Sequence, residues 1–63
     1  MSNYRAGDII RMTREFVGMS REKLSDEICS VQTLYRIESG KTRVKRELYA
    51  RLMAKMERVP EKS

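Results

Sequence analysis

Three glycines and one proline are all that punctuate this chain of 63 residues. Between them, apolar residues return at every third or fourth position and never alternate, a spacing that builds one-sided helices and no strands. Ala6, Ile9, Ile10, Thr13, Phe16 and Val17 make the first such face. Gly18 fits the left-handed residue that ends a helix, and Ser2 or Asn3 is suited to cap its start. Gly7 in the first turns costs roughly 1 kcal/mol relative to Ala, so the helix is expected to begin near it.

Ser20 is the next capping residue, and Glu22 follows where a negative charge meets the positive end of a helix dipole. Leu24 and Ile28 mark the buried side of a short second helix, about Arg21 to Ile28. Ser30 caps a third helix, about Val31 to Ser39, with Leu34 and Ile37 inward and Gly40 closing it. Only Cys29 then separates the second helix from the cap of the third, which predicts a very tight turn. Lys41 to Arg46 reads as a loop. A fourth helix runs from about Arg46 to Arg58, with Leu48, Tyr49, Leu52, Met53 and Met56 apolar and Pro60 at or beyond its end. The expected fold is all-α, a small bundle of four to five helices with short loops, forming one domain over residues 1–63.

What such a bundle can do is narrowed by what it lacks. There is no histidine, the commonest general base and metal ligand. One cysteine allows neither an internal disulfide nor a Cys-based zinc site, and Cys29 suits the core beside the turn. No apolar run is long enough to span a bilayer. A chain this short buries only about 60% of the surface its unfolded form exposes, too little to enclose an active-site cleft between subdomains. The carboxylates have no nucleophile or metal beside them. No enzymatic activity, cofactor, metal or membrane association is therefore expected.

The charge supplies the positive evidence. The chain carries 14 Lys and Arg against 9 Asp and Glu, a net +5. Arg5, Arg11 and Arg14 against Asp8 and Glu15 leave residues 1–20 at +1, and residues 21–40 stand at −1. The excess lies after Gly40, where four of the six residues from Lys41 to Arg46 are basic. Such a loop directly behind a helix end suits a phosphate backbone. A solvated loop is the plainer alternative.

Two short helices joined by a tight turn are a helix-turn-helix candidate. With Leu34 and Ile37 inward, Val31, Gln32, Tyr35 and Arg36 fall on the other face of the third helix. Gln pairs with adenine, Arg with guanine, and an aliphatic group with the thymine methyl. The N-terminal end of such a helix points into the major groove, which favours Val31 and Gln32.

These residues resemble a known family. Arg14, then Gly18-Met19-Ser20, then Leu24, and above all Leu34-Tyr35-Arg36-Ile37-Glu38-Ser39-Gly40-Lys41 resemble the Cro/repressor-type, or XRE-type, helix-turn-helix domain of bacterial and phage regulators, over Gly7 to Met56. The resemblance implies a lambda-repressor-like, sequence-specific binder of double-stranded DNA that regulates transcription as a repressor. It implies a structural ion pair between Arg14 and Glu38, base-reading roles for Val31, Gln32, Tyr35 and Arg36, and backbone contacts from Arg21, Ser30, Lys41, Thr42, Arg43 and Arg46. Arg21 has bracing of the recognition helix as its other role, and Arg46 an approach to the minor groove. Implied partners are a DNA operator and a second copy, as a homodimer, with a fused or separate effector domain, in the cytoplasm at the nucleoid. An end soon after Pro60 fits the DNA-binding piece of a longer regulator. A helical protein-interaction module, such as an antitoxin or adaptor, is the competing expectation.

Three departures stand out. Ile28-Cys29-Ser30 is about one residue shorter than the family's Gly-aliphatic-Ser/Thr link. Ser25 replaces the common Ala of the second helix. Val44-Lys45 replaces the usual Pro-Ser/Thr cap of the fourth helix.

Overall fold

The computed structural model describes residues 5–58. Four helices follow one another: α1 (Ala6–Val17), α2 (Arg21–Ser25), α3 (Val31–Glu38) and α4 (Arg46–Glu57). No strand occurs among the described residues. α1 and α2 each pack on both α3 and α4, so the first two helices hold the last two in place. The core is six side chains: Ile10, Leu24, Leu34, Ile37, Leu52 and Met56. Val17, Met19, Ile28, Cys29, Val44, Leu48, Tyr49 and Met53 pack around it, partly buried. Burial pushes the Cys29 thiol above its ordinary value.

The caps follow local chemistry. Gly18 takes a left-handed conformation with φ 74° and its N–H returns to the carbonyl of Glu15, while Met19 N–H returns to Arg14. Ser20 Oγ accepts from Lys23 N–H at 3.1 Å, and Ser30 Oγ accepts from Thr33 N–H at 3.0 Å. α1 is entered differently from the expectation. Arg5 occupies the cap position, and its N–H donates to Asp8 Oδ2 at 3.2 Å. Ser2, Asn3, Tyr4 and Pro60 lie outside the described residues. Lys45 stands at the N-cap of α4 and makes no side-chain cap, in keeping with the missing Pro-Ser/Thr.

Two expectations are corrected. Phe16 is not on the buried face; it is 89% exposed, and Met12 is exposed beside it one turn away. The 3.6-residue turn places Phe16 about a third of a turn around from Ile10. The inward stripe is instead Gly7, Ile10 and Arg14, a charged residue that is buried because its partner is buried with it.

The second correction concerns the link between α2 and α3. α2 stops at Ser25 rather than Ile28, so four residues, Asp26 to Cys29, separate it from the Ser30 cap, and the turn is not tight. Asp26 leaves the helix with ψ 127°, and Glu27 adopts φ 66°, the left-handed region that favours glycine. Ile28 and Cys29 N–H both return to Ser25 C=O at 2.9 Å. Lys55 Nζ, from α4, donates to Asp26 C=O at 2.9 Å. The missing link residue is thus recovered by unwinding the end of α2, with Glu27 taking the turn conformation. Ser25 itself is buried, and its hydroxyl donates to Glu22 C=O at 3.4 Å.

Gly7 is where α1 crosses the end of α3. A Cβ there would collide with the main-chain oxygen of Ile37 and lie 3.0 Å from its carbonyl carbon. Glycine is therefore what lets the two backbones touch, despite its cost inside a helix.

Candidate nucleic-acid interface

α3 has eight residues, and its two sides are chemically opposite. Leu34, Ile37 and Glu38 are buried, while Val31, Gln32, Tyr35 and Arg36 are exposed. The start of the helix is fixed by Ser30, whose hydroxyl accepts from Thr33 N–H and donates to Thr33 Oγ1 at 2.8 Å. Ser30 thereby orders the first turn. Thr33 is half-buried, so it sits at the border of the exposed face.

Glu38 anchors the other end. Its carboxylate is 4% exposed as a residue and receives three N–H donors: Arg14 Nε at 2.7 Å, Arg14 Nη2 at 3.1 Å and Arg21 Nε at 2.9 Å. Arg14 Nη1 also donates to Met19 C=O at 3.0 Å. One buried anion thus joins α1, the α1–α2 turn, the start of α2 and the end of α3. The Arg14 fork is bidentate, the geometry that makes such pairs strong. Arg21 continues past Glu38: its guanidinium carbon stands 5.2 Å from the centroid of the Tyr35 ring.

The basic loop follows at once. Gly40, with φ 82°, and Lys41 return their N–H groups to Ile37 and Arg36, which closes α3 and turns the chain outward. Lys41, Thr42, Arg43, Lys45 and Arg46 are exposed, while Val44 between them anchors the loop on the core. Arg46 is the first residue of α4. The remaining described cations after Gly40, which are Arg51, Lys55 and Arg58, belong to α4 and its cap and line a groove against Asp26 and Glu27. The charge excess is therefore divided between the loop and the fourth helix.

Sequence reasoning missed Arg5. It lines a cleft of about 600 Å³ with Lys41, Thr42 and Arg43, and its Nη1 lies 3.0 Å from where a Cβ on Gly40 would stand. Nothing local marks this residue, because a tertiary crossing brings it to the loop. Among the described residues, ion pairs form only at Arg11–Glu15, Arg14–Glu38 and Arg21–Glu38, so Arg5, Arg36, Lys41, Arg43 and Arg46 have no carboxylate partner there. Arg5, Lys41 and Arg43, which line one cleft without counter-ions, are suited to an anionic partner.

No group of three His, Cys, Asp or Glu among the described residues could hold a metal ion. No described helix is long and apolar enough to cross a membrane.

The chain's likeness to known proteins runs along the same lines. A family model for a helix-turn-helix domain matches residues 5–58, which encloses the stretch from Gly7 to Met56 that carries the XRE-type resemblance. No curated protein and no solved structure matches.

Proposed function

We propose that this chain, which belongs to the family of helix-turn-helix domains, is a sequence-specific double-stranded DNA binder that regulates transcription, of the repressor type. α3 enters the major groove, with Val31 and Gln32 at its leading end and Arg36 one turn behind. Gln32 pairs with adenine, Arg36 with guanine, and Val31 with a thymine methyl. Lys41, Thr42, Arg43 and Arg46 hold the phosphate backbone. The single observation that carries this reading is the two-sidedness of α3: four side chains able to read bases stand exposed on a helix whose other side is anchored by Leu34, Ile37 and Glu38.

A module of this size covers only about 600–1,000 Å² of protein surface on DNA, so firm binding calls for two copies on half-sites one helical turn apart. Selection from a random duplex pool tests the reading directly. An enriched palindrome supports it, and no enrichment defeats it. On the selected sequence, Gln32→Ala or Arg36→Ala is expected to cost about 1–3 kcal/mol at one base pair. Lys41→Ala should weaken binding to every duplex and lower the salt slope by about one.

A protein-interaction module has one observation in its favour, the exposure of Phe16 and Met12 on α1. A stoichiometric partner co-purifying with the chain, lost in Phe16→Ala and without a salt-sensitive DNA shift, would support that reading instead.

A further inference from the structure

We propose that the cleft between the start of α1 and the α3–α4 loop is a trough for phosphoryl groups, and that Arg5, outside the helix-turn-helix, is one of the residues that hold them. The DNA backbone then contacts the first helix as well as the loop behind α3. That DNA supplies the phosphoryl groups rests on the DNA-binding reading above; the chemistry of the cleft does not.

The cleft of about 600 Å³ is lined from the loop by Lys41, Thr42 and Arg43 and from α1 by Arg5, Ala6 and Gly7. No Asp or Glu lines it. Asp8, the nearest carboxylate in sequence, accepts the main-chain N–H of Arg5 at 3.2 Å and serves the cap. Ala6 and Gly7 open the first turn of α1, where main-chain N–H groups have no acceptor within the helix and the dipole is positive. Three cations, a hydroxyl and two such amides, with no acid among them, suit an anion. The volume lies in the range that takes a whole small organic ligand, so there is room for a stretch of sugar and phosphate and not only a bare ion.

Two glycines bring Arg5 to this place. Gly7 lets the start of α1 cross against the main chain of Ile37, and Gly40 leaves the space beside which the Arg5 guanidinium lies, its Nη1 3.0 Å from where a Cβ would stand. The guanidinium is thus at the C-terminal end of α3, whose partial negative charge favours a cation. The chain passes from Gly40 straight into Lys41, so the first-helix cation stands beside those of the loop. Arginine presents a planar fork of N–H donors that matches two oxygens of one phosphate.

The experiment compares wild type, Arg5→Gln and Arg51→Gln. Both substitutions remove the same charge, but Arg51 lies on α4, in the groove with Asp26 and Glu27. The cap of α1 uses the main chain of Arg5, so Arg5→Gln is expected to fold, and thermal unfolding checks it. Affinity for the selected duplex and for random duplex is measured across a salt series. Arg5→Gln should lower the salt slope by about one on both, so that raising the salt about fourfold costs the variant about fourfold less affinity than it costs wild type. Arg51→Gln should keep the wild-type slope. An unchanged slope in Arg5→Gln, or a loss matched by Arg51→Gln, overturns the inference. Pyrophosphate, titrated without DNA, tests the free source of the same chemistry. It is read from the NMR amide shifts of Ala6, Gly7 and Lys41 to Arg43. The slope loss supports DNA as the source whether or not pyrophosphate binds. If wild type selects no duplex, the DNA-binding reading fails by itself and the pyrophosphate titration decides the site. Shifts that weaken in Arg5→Gln then sustain it for a free phosphorylated ligand, and their absence overturns it.

Discussion

Gly7→Ala puts two opposing effects in one substitution. Alanine is the better helix former, and inside an exposed helix the change stabilises by about 0.5–1 kcal/mol. At Gly7 the added methyl meets the main-chain oxygen of Ile37, with the carbonyl carbon 3.0 Å away. Neither partner is a flexible side chain, so relief requires α1 and the end of α3 to move apart. Overpacking of this kind costs about 1–3 kcal/mol. The net expectation is a loss of about 1–2 kcal/mol. In a domain of this size each kcal/mol moves the midpoint by about 4–8 °C, which puts the fall in Tm at about 4–16 °C. Thermal unfolding followed by circular dichroism measures it. Ala50→Gly, at an exposed position within α4, gives the bare propensity cost in the same protein. A Gly7→Ala variant as stable as wild type, or more so, would refute the close backbone crossing.

Three further outcomes follow from the geometry. Glu38→Gln leaves Arg14 buried without its counter-charge and should cost about 3–5 kcal/mol, most of the stability of a domain this small; denaturant unfolding reads it, and a loss below about 1 kcal/mol would show that the pair is not buried as described. Glu27→Gly relieves a left-handed residue costing about 1–2 kcal/mol and gives back about 0.5–1 in unfolded-chain freedom, so Tm should rise, and a fall would mean that Glu27 is not left-handed. Cys29 has its thiol pushed up by burial from an ordinary 9.0, so at neutral pH it should alkylate more slowly in the folded chain than in the unfolded one. The folded state favours the neutral thiol, so its share of stability holds below 9.0 and is lost as pH climbs through the raised value. Cys29→Ala should flatten that part of the alkaline slope, and an unchanged slope would count against the burial.

Much of this molecule was legible because local chemistry decided it. Gly18 and Gly40 end helices in the left-handed conformation, and Ser20 and Ser30 cap the helices that follow. Leu24, Leu34, Ile37, Leu52 and Met56 declared themselves by spacing. The end of α2 was illegible for the same reason in reverse, since Asp26 and Glu27 carry no breaking residue and the helix stops to let Ile28 and Cys29 reach the core. Phe16 misled because an apolar stripe read from sequence is wider than the contact it can make. Arg14 took the inward position instead, which only its partner 24 residues away explains. At the candidate interface, the motif located the exposed face of α3 and the basic loop, while Arg5 and the stacking of Arg21 on Tyr35 depend on how the helices cross.

The Glu38 knot has a consequence for how such a domain diverges. The ties that hold α3 in place sit on its inward side and at its C-terminal end, whereas Val31, Gln32 and Arg36 form no side-chain bond with the rest of the described chain. Substitutions at those three positions therefore carry little risk to folding. Tyr35 is the exception: a change there also strips the Arg21 stack, so its replacement disturbs two elements rather than one.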